Sequence, residues 1–301
     1  MTFRRTWPLL TLPLAWLFIQ AAGWTAEMLV RLVGLHASAM SGNWPDNIAA
    51  LFAWGLVLVA LWLWLRYFEH RALLTLGFIG KGGGRFIAGL LLGVVMTVVA
   101  VAGITVAGGY VISRPGAWFD HLTPTWLLAS VLTIAGTIVQ AAAKEALFRG
   151  WMLQTVVMRW GSGLAIIINV LAFALFHALH FTPAPEALIG ILNLALMAWL
   201  LSLLVLRDGL LWGVCGIQAG WTLTTTWGLG LNSNGEHLNV TPLLLTFDQG
   251  GEVPWWLTGG AFGPNGSVAM TLVLGAVLLW ALSRHKRTAR VEHDEFDYDD
   301  A

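Results

Sequence analysis

Between Trp126 and Ala143 the chain runs for eighteen residues without one ionisable side chain, and a run of that kind narrows the fold sharply. About 20 helical residues cross the hydrocarbon core of a bilayer, and backbone groups in lipid are satisfied only within helices or closed barrels. The run is continuous rather than alternating, which selects helices. Seven more runs are similar in kind: Pro8 to Met28, Asn47 to Leu65, Phe86 to Val111, Leu164 to Leu179, Ala187 to Leu206, Leu210 to Thr226, and Ser267 to Leu282. Composition agrees, with 57% hydrophobic and 11% charged residues, about half the charged fraction of a soluble domain. The expected fold is all-α, a polytopic membrane protein with about eight transmembrane helices. The stretch Glu145 to Arg159, with Leu147, Trp151, Val156 and Met158 among polar residues, reads as a continuation of the fourth span, as an interfacial helix, or as a span of its own.

Short loops rich in Lys and Arg stay in the cytoplasm. Eight spans put both termini inside, and on that arrangement every Lys and Arg except Arg31 and Arg114 falls on the cytoplasmic side. The stretch Trp227 to Gly266 contains neither Lys nor Arg and falls where an external loop is required. It reads as a lid or docking surface, or as a packed interfacial loop anchored by Trp255 and Trp256. The expected location is therefore the cell membrane, multi-pass, with cytoplasmic termini. Arg4 and Arg5 ahead of an apolar stretch resemble a signal peptide, but seven further spans favour a retained anchor. Beyond the last span, basic Arg284 to Arg290 and acidic Glu292 to Asp300 suggest a disordered cytoplasmic tail over 284–301.

Against this apolar background, Lys144, Glu145 and Arg149 form a polar knot. A single charge at the bilayer centre costs on the order of 3 kcal/mol on insertion scales, so three in six residues need partners, water or a purpose. On a helix Glu145 and Arg149 share a face in the favourable order for pairing. Lys144 is rotated about 100° away, toward another part of the structure or the interface.

In the fifth span His177 and His180 share a face, with Phe173 one turn before His177. Two histidines at that spacing can hold zinc if a third ligand is supplied; otherwise a span histidine serves as a helix-to-helix hydrogen bonder. In the seventh span Gln218 and Thr222 share a face. They can bridge helices or orient a substrate amide, but neither acts as a general base. Cys215, the single cysteine, reads as packing. The turn Lys81-Gly82-Gly83-Gly84-Arg85 lacks the spacing of a phosphate-binding loop.

Three segments, Glu145-Ala146-Leu147-Phe148-Arg149-Gly150, Phe173-Ala174-Leu175-Phe176-His177 and Gln218-Ala219-Gly220-Trp221-Thr222, resemble in order and spacing the CPBP family of intramembrane proteases, the CAAX-protease and bacteriocin-processing group. Softer matches are Leu73 to Gly77 and Trp256 to Pro264, a loop typical of bacterial members. The resemblance covers roughly Ala72 to Leu282, giving two N-terminal helices over 1–71, a CPBP-like membrane domain over 72–283, and the tail. It implies a helical bundle around a polar cavity in which a glutamate and histidines activate water for peptide hydrolysis. Glu145, Arg149 and His177 are then the catalytic candidates, with Lys144, Phe173, His180, Gln218 and Thr222 as substrate-orienting candidates.

This chain departs from the family pattern at three positions. Lys144 stands where the family has the first of two glutamates, usually its water-activating base, and Gln218 and Thr222 stand where it has histidine and asparagine. With Glu145 committed to Arg149, the motif offers no second carboxylate. Two readings follow: an intramembrane endopeptidase with a divergent site, and a pseudoprotease that binds a membrane peptide or lipidated partner without cutting it. A transporter is the third, with less support because polarity is confined to three helices and no repeat is evident. Expected partners are a membrane-associated peptide or protein and the lipid bilayer, not nucleic acid. No cofactor is required by the residues, and zinc enters only through His177 and His180.

Overall fold

A computed structural model describes residues 5–32, 44–120, 122–178, 185–235 and 241–298. The chain opens with α1 (Pro8–Leu32) and α2 (Trp44–Tyr67), then a single 3-10 turn (Leu73–Leu76) leads into α3 (Gly83–Val106). Strand β1 (Tyr110–Pro115) and the short α4 (Ala117–Asp120) precede α5 (Pro124–Glu145), which passes through a π-helical segment (Ala146–Leu153) into α6 (Gln154–Ala178). After α7 (Pro185–Asp208) and α8 (Trp212–Leu223), a second π turn (Thr224–Gly228) leads toward β2 (Leu245–Gln249), the short α9 (Trp255–Thr258) and α10 (Val268–Tyr298).

Five helical units among the described residues are long and apolar enough to cross a membrane: Pro8–Leu32, Ile48–Tyr67, Gly83–Val106, Pro124–Ala178 and Ala187–Asp208. Val268–Arg284 is a shorter apolar helix, and α8 with its π turn spans Trp212–Gly228. The outer faces remain apolar, with Leu127, Leu128 and Val131 of α5 and Leu272, Leu279 and Trp280 of α10 exposed. Side chains of that kind belong in contact with lipid.

Lipid tails are as apolar as leucine, so association between helices depends on close packing rather than on water exclusion. Glycines at the contact of α3 and α8 show how this chain achieves it. A Cβ added at Gly89 would lie 2.0 Å from the Gly213 carbonyl oxygen, and one at Gly216 would lie 2.1 Å from that of Phe86. Gly93 and Gly220 make equally close approaches to Ile217 and Leu90. The two backbones therefore touch, which fixes the position of α8 and of Gln218 upon it.

The spans expected at Trp126 to Ala143 and Leu164 to Leu179 belong to one helical unit, interrupted at Gly161 (φ 81°, ψ 167°). Those dihedrals lie in a region essentially reserved for glycine. Pro124 to Trp160, on the near side of the break, corresponds to a helix about 55 Å long, so Glu145 to Arg159 continues the fourth span. After the break the chain folds back, since Phe173 of α6 packs edge-on against Phe148 at 5.2 Å.

Thr123 caps the start of α5 by accepting from the Trp126 amide at 3.1 Å, with Pro124 in the first turn, where its missing N–H costs no helical hydrogen bond.

Two expectations need adjustment. The third span was drawn to Val111, but α3 ends at Val106, and the Gly108-Gly109 pair (Gly108 φ 81°) turns the chain into β1. That strand pairs antiparallel with β2 from the loop following the seventh span, a sheet the continuous apolar runs did not suggest. Its Tyr110 hydroxyl donates to the Thr258 carbonyl at 2.6 Å. Past Leu282, the backbone of α10 continues as helix through Tyr298, into the stretch expected as a disordered tail; its Arg-, Lys- and Glu-rich composition is compatible with helix.

Candidate active site

Where α5 gives way to the π-helical segment, the wider turn leaves backbone groups without their usual α-helical partners. Single π turns inside α-helices occur frequently at functional sites. Here one displaced carbonyl is met from outside the helix: Asn169 Nδ2 donates to the Phe148 carbonyl at 2.6 Å. Ser202 of α7 in turn donates to Asn169 Oδ1 at 3.1 Å. Gln154 Nε2 donates to the Leu76 carbonyl at 2.7 Å and ties the far end of the segment to the 3-10 turn. The irregular backbone is thus held by three neighbouring elements.

On that segment Arg149 Nη1 donates to Glu145 Oε1 at 3.0 Å, both side chains being fully buried. The ion pair expected from the four-residue spacing is present. Gln218 Nε2, arriving on α8, donates to the same oxygen at 3.1 Å. Glu145 Oε2, Arg149 Nε and Arg149 Nη2 are buried without a hydrogen-bond partner. One oxygen of the carboxylate is therefore doubly engaged, and the other has no hydrogen-bond partner among the described residues.

Phe173 and His177 complete the arrangement. The Arg149 guanidinium lies over the Phe173 ring, 4.3 Å from its centroid, a contact that partly replaces lost hydration of the charge. The Phe173 and His177 rings are 4.4 Å apart. His177 Nδ1 lies 2.9 Å from the Phe173 carbonyl; since a carbonyl only accepts, Nδ1 carries the proton and Nε2 is the basic atom of the neutral ring. Phe148 and Phe176 extend the aromatic wall, with their centroids 5.8 Å apart.

Lys144 turns to a different neighbour. Its ammonium lies 5.1 Å from the centroid of the Trp54 ring on α2, so Lys144 faces α2. Thr222 is half-buried one turn beyond Gln218. His180 lies outside the described residues. Among the described residues no group of three His, Cys, Asp or Glu side chains is placed to hold a metal. Glu145 and His177 amount to two ligands where a catalytic zinc takes three from protein, so the described donor set by itself does not fit zinc.

Several contributors were missed in the sequence. Asn169 precedes Phe173 by four residues, and that shared helical face was an available signal. Trp54, Ser202 and the contact between Glu69 and Trp151, whose Nε1 donates to Glu69 Oε1 at 2.8 Å, carry no signature because they come from distant helices.

Residues 124–224 match the family described as Type II CAAX prenyl endopeptidase Rce1-like. This segment is similar to that family. The match runs from the first turn of α5 to Thr224 and contains Lys144, Glu145, Arg149, Phe173, His177, Gln218 and Thr222, together with the π segment. No curated protein and no solved structure matches the chain significantly. Together with the apolar helices, this similarity supports a multi-pass membrane protein with a CAAX-endopeptidase-like fold.

Proposed function

We propose that this chain is a divergent intramembrane endopeptidase-like protein that takes a membrane-associated peptide between α5, α6 and α8, against Glu145, His177 and Gln218. The observation that carries this reading is the asymmetry of Glu145. Arg149 and Gln218 hold Oε1, while Oε2 is buried and unpartnered. A buried unsatisfied oxygen of this kind calls for a water or a ligand donor.

For hydrolysis, Glu145 Oε2 or His177 Nε2 would take the proton from water as it attacks the peptide carbonyl and pass it to the departing amine as the C–N bond breaks. Gln218 Nε2 keeps a second hydrogen, which suits a developing oxyanion. Glu145 is 0% exposed, so attack requires the helices to part and admit water.

A second reading, binding without cleavage, is favoured by Lys144. Its ammonium over Trp54 replaces the first carboxylate of the family pattern with a cation directed elsewhere. Both readings place both termini in the cytoplasm on the distribution of basic residues.

Quantitative mass spectrometry of protein termini in membranes decides between them, comparing cells that express the chain with cells that express a Glu145→Ala, His177→Ala double variant. Termini that appear only with the unmodified chain establish cleavage. Identical termini at equal abundance of folded protein leave the binding reading, and co-purified peptides then identify the partner.

A further inference from the structure

The side-on edge of Arg149 has no assigned role in either reading. A guanidinium presents five N–H groups in a rigid plane. Glu145 takes Nη1 and Phe173 covers a face, whereas Nε and Nη2, adjacent on one edge, are buried and unpartnered. That edge is the one that grips a planar carboxylate through two parallel hydrogen bonds. An unpaired ionic donor in an apolar interior is costly, so the arrangement implies an acceptor.

The Arg149 guanidinium lies over the Phe173 ring, 4.3 Å from its centroid, and Phe148 meets Phe173 edge-on at 5.2 Å, aromatic surroundings that suit an apolar body behind the anionic group.

We propose that the Nε and Nη2 edge of Arg149 binds the carboxylate of an apolar ligand, supplied by the C-terminus of a membrane peptide or by a fatty acid. The peptide source rests on the function proposed above; the carboxylate site does not. Because both nitrogens are closed to solvent, the carboxylate enters as the helices around Arg149 separate.

The test uses the full chain in phosphatidylcholine nanodiscs and measures binding of four probes by calorimetry: an apolar pentapeptide with a free C-terminus, its C-terminal amide, palmitate and palmitamide. The acid of at least one pair binds about tenfold or more tighter than its amide, as two charge-assisted hydrogen bonds require. Preference confined to the peptide pair assigns the site to a peptide C-terminus. Preference confined to palmitate supports the carboxylate site and removes the peptide reading. Equal binding of peptide acid and amide, with no palmitate preference, overturns the carboxylate site while keeping peptide binding. No binding of any probe overturns both. Arg149→Lys, which keeps the charge and loses the fork, reduces the preference to under about threefold; if that variant does not fold, the acid and amide comparison on the unmodified chain decides alone.

Discussion

Gln218 Nε2 donates to Glu145 Oε1 at 3.1 Å across 73 residues of sequence. It is a neutral donor to the buried Glu145 carboxylate. Replacing it with leucine leaves Glu145 to Arg149 alone and removes a hydrogen bond to a charged group. We expect Gln218→Leu to lower stability by about 1–3 kcal/mol, read as a lower midpoint of thermal unfolding in detergent micelles.

Asn169 is expected to matter as much, although it touches neither ion. It satisfies the Phe148 carbonyl at 2.6 Å and receives Ser202. In Asn169→Leu the carbonyl loses its donor while buried, at a cost of about 1–3 kcal/mol. Ser202→Ala should cost less, because Asn169 keeps its bond to the carbonyl. The order of the two unfolding midpoints checks the claim, and a larger loss in the serine variant would contradict it.

The long apolar runs were legible because hydrocarbon admits so few backbone solutions, and the pairing of Glu145 with Arg149 was legible because it lies within one helix. The contacts that set the site's character were not. Gln218 meeting Glu145, Lys144 facing Trp54, and Asn169 holding the Phe148 carbonyl depend on how separate helices dock. That docking rests on backbone contacts such as Gly89 with Gly213, which a hydropathy pattern does not encode. The β1 and β2 pairing was hidden for a related reason: two short segments 130 or so positions apart form a sheet only when both loops meet, and neither has strand alternation strong enough to announce it.

The glycine contact of α3 and α8 gives a sharper test of docking. A Cβ at Gly216 would lie 2.1 Å from the Phe86 carbonyl oxygen, far inside van der Waals contact and against backbone that cannot rotate away. Gly216→Ala should therefore destabilise by on the order of 1–3 kcal/mol. Gly103→Ala, where an added Cβ meets nothing within 4 Å, should be neutral or slightly stabilising, since alanine is the better helix former. Thermal unfolding of the pair in the same detergent separates specific backbone contact from any general effect of removing glycine.

Lys144→Glu bears on chemistry rather than packing. It restores adjacent carboxylates and gives up the contact with Trp54, worth about 0.5–1 kcal/mol at a partly exposed site. On the hydrolytic reading the variant should increase the yield of new termini in the membrane assay several-fold over the unmodified chain. An unchanged yield at equal abundance would place the limit at Gln218 and Thr222 instead.

Outside the spans, Glu69 ties the N-terminal segment to the site helix. It accepts from the Thr6 hydroxyl at 2.6 Å and from Trp151 Nε1 at 2.8 Å, and pairs with Arg71 at 2.7 Å. Burial pushes its carboxyl upward, but the hydrogen bonds from Thr6 and Trp151 and the charge of Arg71 outweigh burial and hold it below the ordinary value. A depressed carboxylate contributes stability that is fully present above the unfolded-state pKa, about 4.3 for glutamate, and is lost as pH falls through the lower folded-state value. Unfolding midpoints of the unmodified chain should accordingly be insensitive to this group from neutral pH down to about pH 5 and decline in more acidic solution. Glu69→Gln keeps an acceptor without the titrating charge, so it should be less stable near pH 7 and show a shallower acid decline. Parallel acid declines in the two proteins would assign the loss to other carboxylates.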